Sequence, residues 1–149
     1  MAKINIFYGS VYGGAERLAD SAEEQLQKHG HEATVIDNPQ VEDVSNSEYI
    51  LVITSTTGQG DIPDNLMPLF VALQSQFPLL GGTPFAVIAM GDSSYGDTFC
   101  GAGKQVEELL MELQGKPLLP RLDIDALEDF DPEPVAQPWL AQFAGAIAK

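Results

Sequence analysis

The stretch Tyr49-Ile-Leu-Val-Ile-Thr54, running on into Ser55-Thr-Thr-Gly-Gln-Gly-Asp61, decides the fold. Its apolar centre is continuous rather than alternating. Such a strand needs cover on both faces, as in a parallel sheet between two layers of helices. The segments on either side agree. Upstream, Ile4 to Tyr8 is short, β-branched and aromatic and stops at Gly9, which reads as a strand. Ala15, Leu18, Ala19, Ala22 and Leu26 then recur at helical spacing, with Lys28 and Gly30 as stop signals. Glu32 to Ile36 is a second, weaker strand.

Downstream, Met67 to Phe77 predicts a helix with Pro68 in its first turn. Phe85 to Met90 is the fourth strand. Phe99 to Gln114 is a helix with Val106, Leu109, Leu110 and Leu113 along one side. Pro117 to Ile124 makes a poor fifth strand, because two prolines interrupt it. Asp125 to Gln137 reads as an acidic, Pro-containing loop. A last helix from near Pro138 should bury Trp139, Leu140, Phe143 and Ile147. Strands alternating with helices predict an α/β fold: a doubly wound, five-stranded parallel sheet of order 2-1-3-4-5 with helices on both faces. The length of 149 residues suits a single domain spanning 1–149.

Composition excludes several classes. Net charge is −15, against nucleic acid or an anionic membrane surface. No apolar run approaches the roughly 18 residues needed to span a bilayer. The first ten residues lack the apolar region of a signal peptide, so a cytoplasmic location is expected. One cysteine and two neighbouring histidines make no metal site. No Lys or Arg occurs between Lys28 and Lys104, while that stretch carries nine acids, including Asp61, Asp92 and Asp97. Such a surface serves solubility or docks a basic partner.

In a doubly wound sheet, ligands bind outside the carboxyl ends of the strands where the winding reverses. Three loops meet there: Gly9 to Ala15, Ser55 to Asp61, and Gly91 to Phe99. Each carries at least two glycines together with hydroxyls. The first leads into a helix, whose amino end offers free N–H groups to an anion. Ser10 and Tyr12 add hydroxyls, and Gly13 and Gly14 let a ligand approach the backbone. The glycine spacing matches neither the P-loop nor the dinucleotide fingerprint, and a tight turn would also explain it. Thr56, Thr57 and Gly58 could line a flat ligand, and Tyr95 could stack on a planar heterocycle. Together the three loops describe a mononucleotide pocket.

The strings GSVYGGAE, TSTTGQGDIPDNL and GDSSYGDTFCGA resemble those of the flavodoxin family, specifically its short-chain, MioC-type group, along nearly the whole chain. The resemblance implies a flavodoxin-like sheet, non-covalent FMN and one-electron transfer rather than enzymatic turnover. By position, Ser10, Val11, Tyr12, Gly13, Gly14 and Ala15 would hold the phosphate. Ser55, Thr56, Thr57 and Gly58, with Gly91, Asp92, Tyr95, Asp97, Phe99 and Cys100, would enclose the isoalloxazine. Tyr95 matches the tyrosine that stacks on the ring. Gly58 matches the glycine whose carbonyl turns toward flavin N5 on one-electron reduction. Cys100 reads as small packing beside the pocket, since no histidine is near it in sequence.

The family reading implies a low-potential carrier and a monomer, passing electrons from a basic flavodoxin/ferredoxin-type NADP reductase to acceptor redox enzymes. A carboxylate about 8 Å from the flavin, at an effective dielectric of about 20, costs an anionic reduced flavin about 2 kcal/mol, on the order of 90 mV. Asp61, Asp92 and Asp97 are the candidates. Tyr12, Gly14 and Ala15 depart from the hydroxyl-rich phosphate loop usual in the family. Two alternatives therefore stand beside the carrier: a flavodoxin-like partner-binding module with weak or no FMN, and an FMN-dependent quinone reductase.

Overall fold

The computed structural model describes residues 3–10, 14–37, 39–56, 61–91, 100–125 and 133–147. The elements in chain order are β1 (Lys3–Gly9), α1 (Gly14–Lys28), β2 (Glu32–Val35), α2 (Val41–Ser45), β3 (Tyr49–Thr54) and α3 (Met67–Gln76). Then follow β4 (Pro84–Gly91), α4 (Gly101–Glu112), β5 (Lys116–Pro117), β6 (Leu122–Asp125) and α5 (Glu133–Ile147). The sheet order is β2-β1-β3-β4-β5, with β6 also paired to β4, and every pairing is parallel.

β3 lies at the centre, as its continuous apolar run requires. Leu51 and Ile53 point into one layer with Ile4, Ile6, Ala86 and Ile88, covered by α1 and α5. Ile50 and Val52 point into the other with Phe7, Phe85 and Val87, covered by α2, α3 and α4. This is the period-2 alternation of a strand, with both faces apolar.

Two expectations change, and one element is added. The fifth position is not one strand. β5 pairs at Pro84–Phe85 and β6 resumes at Ile88, leaving residues 118–121 as an interruption. Pro120, which has no N–H to give a ladder, lies inside that interruption. The interruption is pinned instead by side chains. The Trp139 indole N–H donates to the Pro120 carbonyl at 3.2 Å, and Arg121 bonds both Glu107 and Asp123. The last helix starts at Glu133, not near Pro138, so the segment read as a loop to Gln137 is partly helix. Pro134 is its first-turn proline. Pro138 lies inside the helix, where its missing N–H costs the bond to the Pro134 carbonyl. Finally, α2 adds a short helix after β2. There the Gln40 N–H donates to the Asp43 carboxylate at 2.8 Å, and Val41 and Val44 are buried.

Among the described residues, no helix is long and apolar enough to cross a membrane.

Candidate functional site

β1 and β3 end level with one another, and β4 runs two residues further to Gly91. Gly9 pairs with Thr54, and Thr54 with Ala89. Their carboxyl ends therefore place Ser10, Ser55, Thr56 and Gly91 along one edge, at the point where the winding reverses between β1 and β3.

Two glycines let the backbone close there. A β-carbon on Gly9 would fall 2.7 Å from Thr54 Oγ1 and 3.0 Å from the Leu66 side chain. One on Gly91 would fall 2.7 Å from the Cys100 nitrogen. Both distances lie inside van der Waals contact, so a side chain would push β1 from β3 at Gly9 and β4 from the start of α4 at Gly91. At Gly14, the first residue of α1, a β-carbon would meet, among the described residues, only the Met90 methyl at 3.8 Å.

The strand ends are tied by short hydrogen bonds. The Ser55 N–H donates to the Gly9 carbonyl at 2.9 Å, and the Ser55 hydroxyl lies 3.2 Å from the same oxygen. The buried Thr54 hydroxyl donates to the Ser55 carbonyl at 2.8 Å. The Ser10 N–H donates to Asn65 Oδ1 at 2.7 Å, and Asn65 Nδ2 donates to the Tyr8 carbonyl at 3.1 Å. Thr56 differs from its neighbours. Its Oγ1 is buried and bonds to no group among the described residues. A buried hydroxyl in that state costs free energy until something completes it.

Beside the edge, the Tyr8 hydroxyl lies 2.9 Å from Asp37 Oδ1 and 3.3 Å from Glu16 Oε2. Burial, and then the Asp37 carboxylate, hold its phenol well above the usual tyrosine range. With Ile36, Pro39 and Asn65 these residues border a cleft of about 400 Å³ at the ends of β1 and β2.

Cys100 is fully buried and caps α4 in the left-handed region, at φ 55. Burial, aided by Asp123, pushes its thiol up to about 12. It is therefore a packing residue beneath the start of α4, inert as a nucleophile at neutral pH.

Of the residues expected at the site, the structure brings Ser10, Gly14, Ala15, Ser55, Thr56, Gly91 and Cys100 to this edge. Ala15 is buried against the sheet as part of the core. Val11, Tyr12, Gly13, Thr57, Gly58, Asp92, Tyr95, Asp97 and Phe99 lie outside the described residues. Of the candidate tuning acids, Asp61 is described and exposed. Sequence reasoning passed over Asn65, because Asp64-Asn65 before a helix reads only as a turn.

A doubly wound parallel sheet with glycines, hydroxyls and a helix amino end at the winding reversal is the architecture of a nucleotide-binding domain. The family model described as Flavodoxin matches residues 6–139, and the chain belongs to the flavodoxin family. It is 42% identical to Flavodoxin YqcA of Escherichia coli over 150 residues, covering 99% of this chain and 100% of that one. It is 40% identical to Protein MioC of Escherichia coli over 147 residues, covering 99% of each. Among solved structures, a cysteine-to-alanine mutant of flavodoxin from Pseudomonas aeruginosa superposes with a TM-score of 0.92 at 47% identity over 99% of each chain. The fold is also that of a Fusobacterium nucleatum flavodoxin bound to flavin mononucleotide, with a TM-score of 0.79 at 18% identity, covering 96% of this chain and 97% of that one.

Proposed function

We propose that this flavodoxin-family chain is an electron-transfer protein that holds FMN at the carboxyl edge of its sheet and carries single electrons at low potential. The reading rests on family membership, and one observation in this chain carries it. The buried hydroxyl of Thr56, beside Ser55 at the winding reversal, has no partner among the described residues. FMN is the cofactor, and when bound it supplies the redox chemistry.

The chain's own residues do the rest. The amino end of α1 at Gly14, with Ser10 leading into it, receives the phosphate through backbone N–H groups. Thr56 gives its hydroxyl to the flavin, and Ser55 stays bound to Gly9, keeping β3 and β1 in register under the ligand. Gly91 lets the start of α4 close against β4. Tyr95 and Gly58 take the stacking and hinge positions that the family resemblance gives them, and Asp61, Asp92 and Asp97 set the negative field around the ring. The electron donor is a basic NADP reductase of the flavodoxin/ferredoxin type, and the acceptors are redox enzymes with a complementary surface.

The test is an absorption spectrum of the purified protein after adding FMN and desalting, followed by stepwise anaerobic reduction. Retained flavin bands with a long-wavelength one-electron-reduced form support the carrier. Retained flavin that passes directly to the two-electron-reduced form, with turnover of NAD(P)H and quinone, would replace it by a quinone reductase. No retained flavin would replace it by a partner-binding module.

A further inference from the structure

We propose that Asn65 is a positioning residue for the cofactor phosphate: its carboxamide fixes the backbone from Tyr8 to Ser10, from which the phosphate loop departs. The proposal rests on the FMN reading above. β2 stops pairing early. Its ladder with β1 ends at Ile6 and Val35, followed by the Ile36 N–H donating to the Ile6 carbonyl. Beyond that point β1 runs on through Tyr8 and Gly9 and leads into Ser10. The Gly9 carbonyl turns toward β3 and accepts from Ser55. The Tyr8 carbonyl and the Ser10 N–H turn the other way, where no strand remains among the described residues.

Asn65 takes the place of that strand. Its Oδ1 accepts from the Ser10 N–H at 2.7 Å, and its Nδ2 donates to the Tyr8 carbonyl at 3.1 Å. In a parallel ladder one residue gives its N–H and C=O to the residues before and after its neighbour. The carboxamide copies that pattern around Gly9. Only one orientation of the amide works, because the Ser10 N–H needs an acceptor and the Tyr8 carbonyl a donor. Asn65 is itself held in the turn before α3, where the Leu66 and Met67 N–H groups both donate to the Pro63 carbonyl. One planar side chain thus couples the β3–α3 connection to the first residue of the β1–α1 loop.

The consequence is specific to the phosphate. Without the fork, the Ser10 N–H and the Tyr8 carbonyl lose the carboxamide that holds them where the β1–α1 loop departs. The ends of β1 and β3 keep their own ties through Ser55 and Thr54. Asn65 is exposed, so its replacement leaves the core intact.

The experiment compares FMN with riboflavin, which lacks only the phosphate, on wild type, Asn65→Ala and Asn65→Leu, by fluorescence quenching on flavin-free protein. Wild type should prefer FMN. Both variants should lose about tenfold in FMN affinity, the scale of one or two net hydrogen bonds, and stay within about twofold for riboflavin. The thermal midpoint of the flavin-free variants should match wild type. Equal loss of both flavins, or no loss of either, overturns the positioning role and leaves the FMN reading standing. So does a wild type that binds riboflavin as tightly as FMN. A wild type that binds neither overturns the FMN reading, and the proposal with it.

Discussion

Gly91 packs directly against Cys100: a β-carbon on Gly91 would lie 2.7 Å from the Cys100 nitrogen and 3.2 Å from its sulfur. The end of β4 and the start of α4 are therefore joined at a point with no room for a side chain. Gly91→Ala must move one of them. It should cost about 1–3 kcal/mol, the usual penalty for overpacking. Denaturant unfolding of the flavin-free protein measures it, and a cost below about 0.5 kcal/mol would show that the joint gives way freely.

Thr56 should separate stability from binding. Its buried hydroxyl is unsatisfied among the described residues, so Thr56→Val removes a desolvated group while keeping the side chain's shape. The flavin-free variant should be as stable as wild type, or up to about 1 kcal/mol more stable. FMN affinity should fall about five- to tenfold. Loss of stability with unchanged FMN binding would show the hydroxyl to be structural.

The thiol of Cys100 sets an alkaline limit. Its pKa rises from an ordinary 9.0 to about 12 through burial first and Asp123 second. A group raised on folding contributes stability that is complete below its unfolded value and lost as pH climbs toward its folded one. Stability should therefore decline from pH 9 toward pH 12, and Cys100→Ala should decline less over that window. The Tyr8 phenol, also raised, works in the same direction at higher pH. Unfolding midpoints at pH 8, 10 and 11 for the two proteins check this, and identical pH profiles would refute it.

Arg121 holds the broken edge strand. Its Nη1 lies 2.7 Å from Glu107 and its Nε 2.6 Å from Asp123, with only 16% of the side chain exposed. The paired carboxylates keep the guanidinium charged. Arg121→Met leaves two partly buried carboxylates close together. It should cost about 1–3 kcal/mol, between the values for exposed and buried pairs. Thermal unfolding at fixed pH measures this.

The acidic stretch between Lys28 and Lys104 predicts electrostatic steering. Reduction by a basic NADP reductase should slow about tenfold between low salt and roughly 0.5 M salt, as exposed charges are screened. A rate flat across that range would remove the docking role of the surface.

The central strand was legible because burial on both faces leaves an apolar run that few other elements produce. β1 and α1 were legible for other reasons: a short β-branched and aromatic run ends at Gly9, and a helical-period apolar stripe ends at Lys28 and Gly30. The start of α5 was not. Pro134 and Pro138 both look like first-turn prolines, and only packing decides that the later one lies inside the helix. α2 has five residues, too few for a helical period to show. The split of the fifth strand was half visible in its prolines, but the ties that replace its ladder come from Trp139 and Arg121. Along the site, glycines and hydroxyls announced themselves by composition. Asn65 did not, because its function is a contact with β1 more than fifty residues away, and no local pattern records it.

The broken edge also carries a built-in optical reporter. Trp139 is the only tryptophan in the chain. Its indole is tied to Pro120 and stacked on Phe143, with centroids 5.8 Å apart and planes 6° from parallel. Intrinsic emission thus originates at the seam between the last helix and the far edge of the sheet. A shift in that emission under denaturant or heat marks release of this seam, and flavin fluorescence marks the opposite event, at the mouth of the pocket. Two colours recorded from one sample then reveal whether the two regions come apart together or in succession.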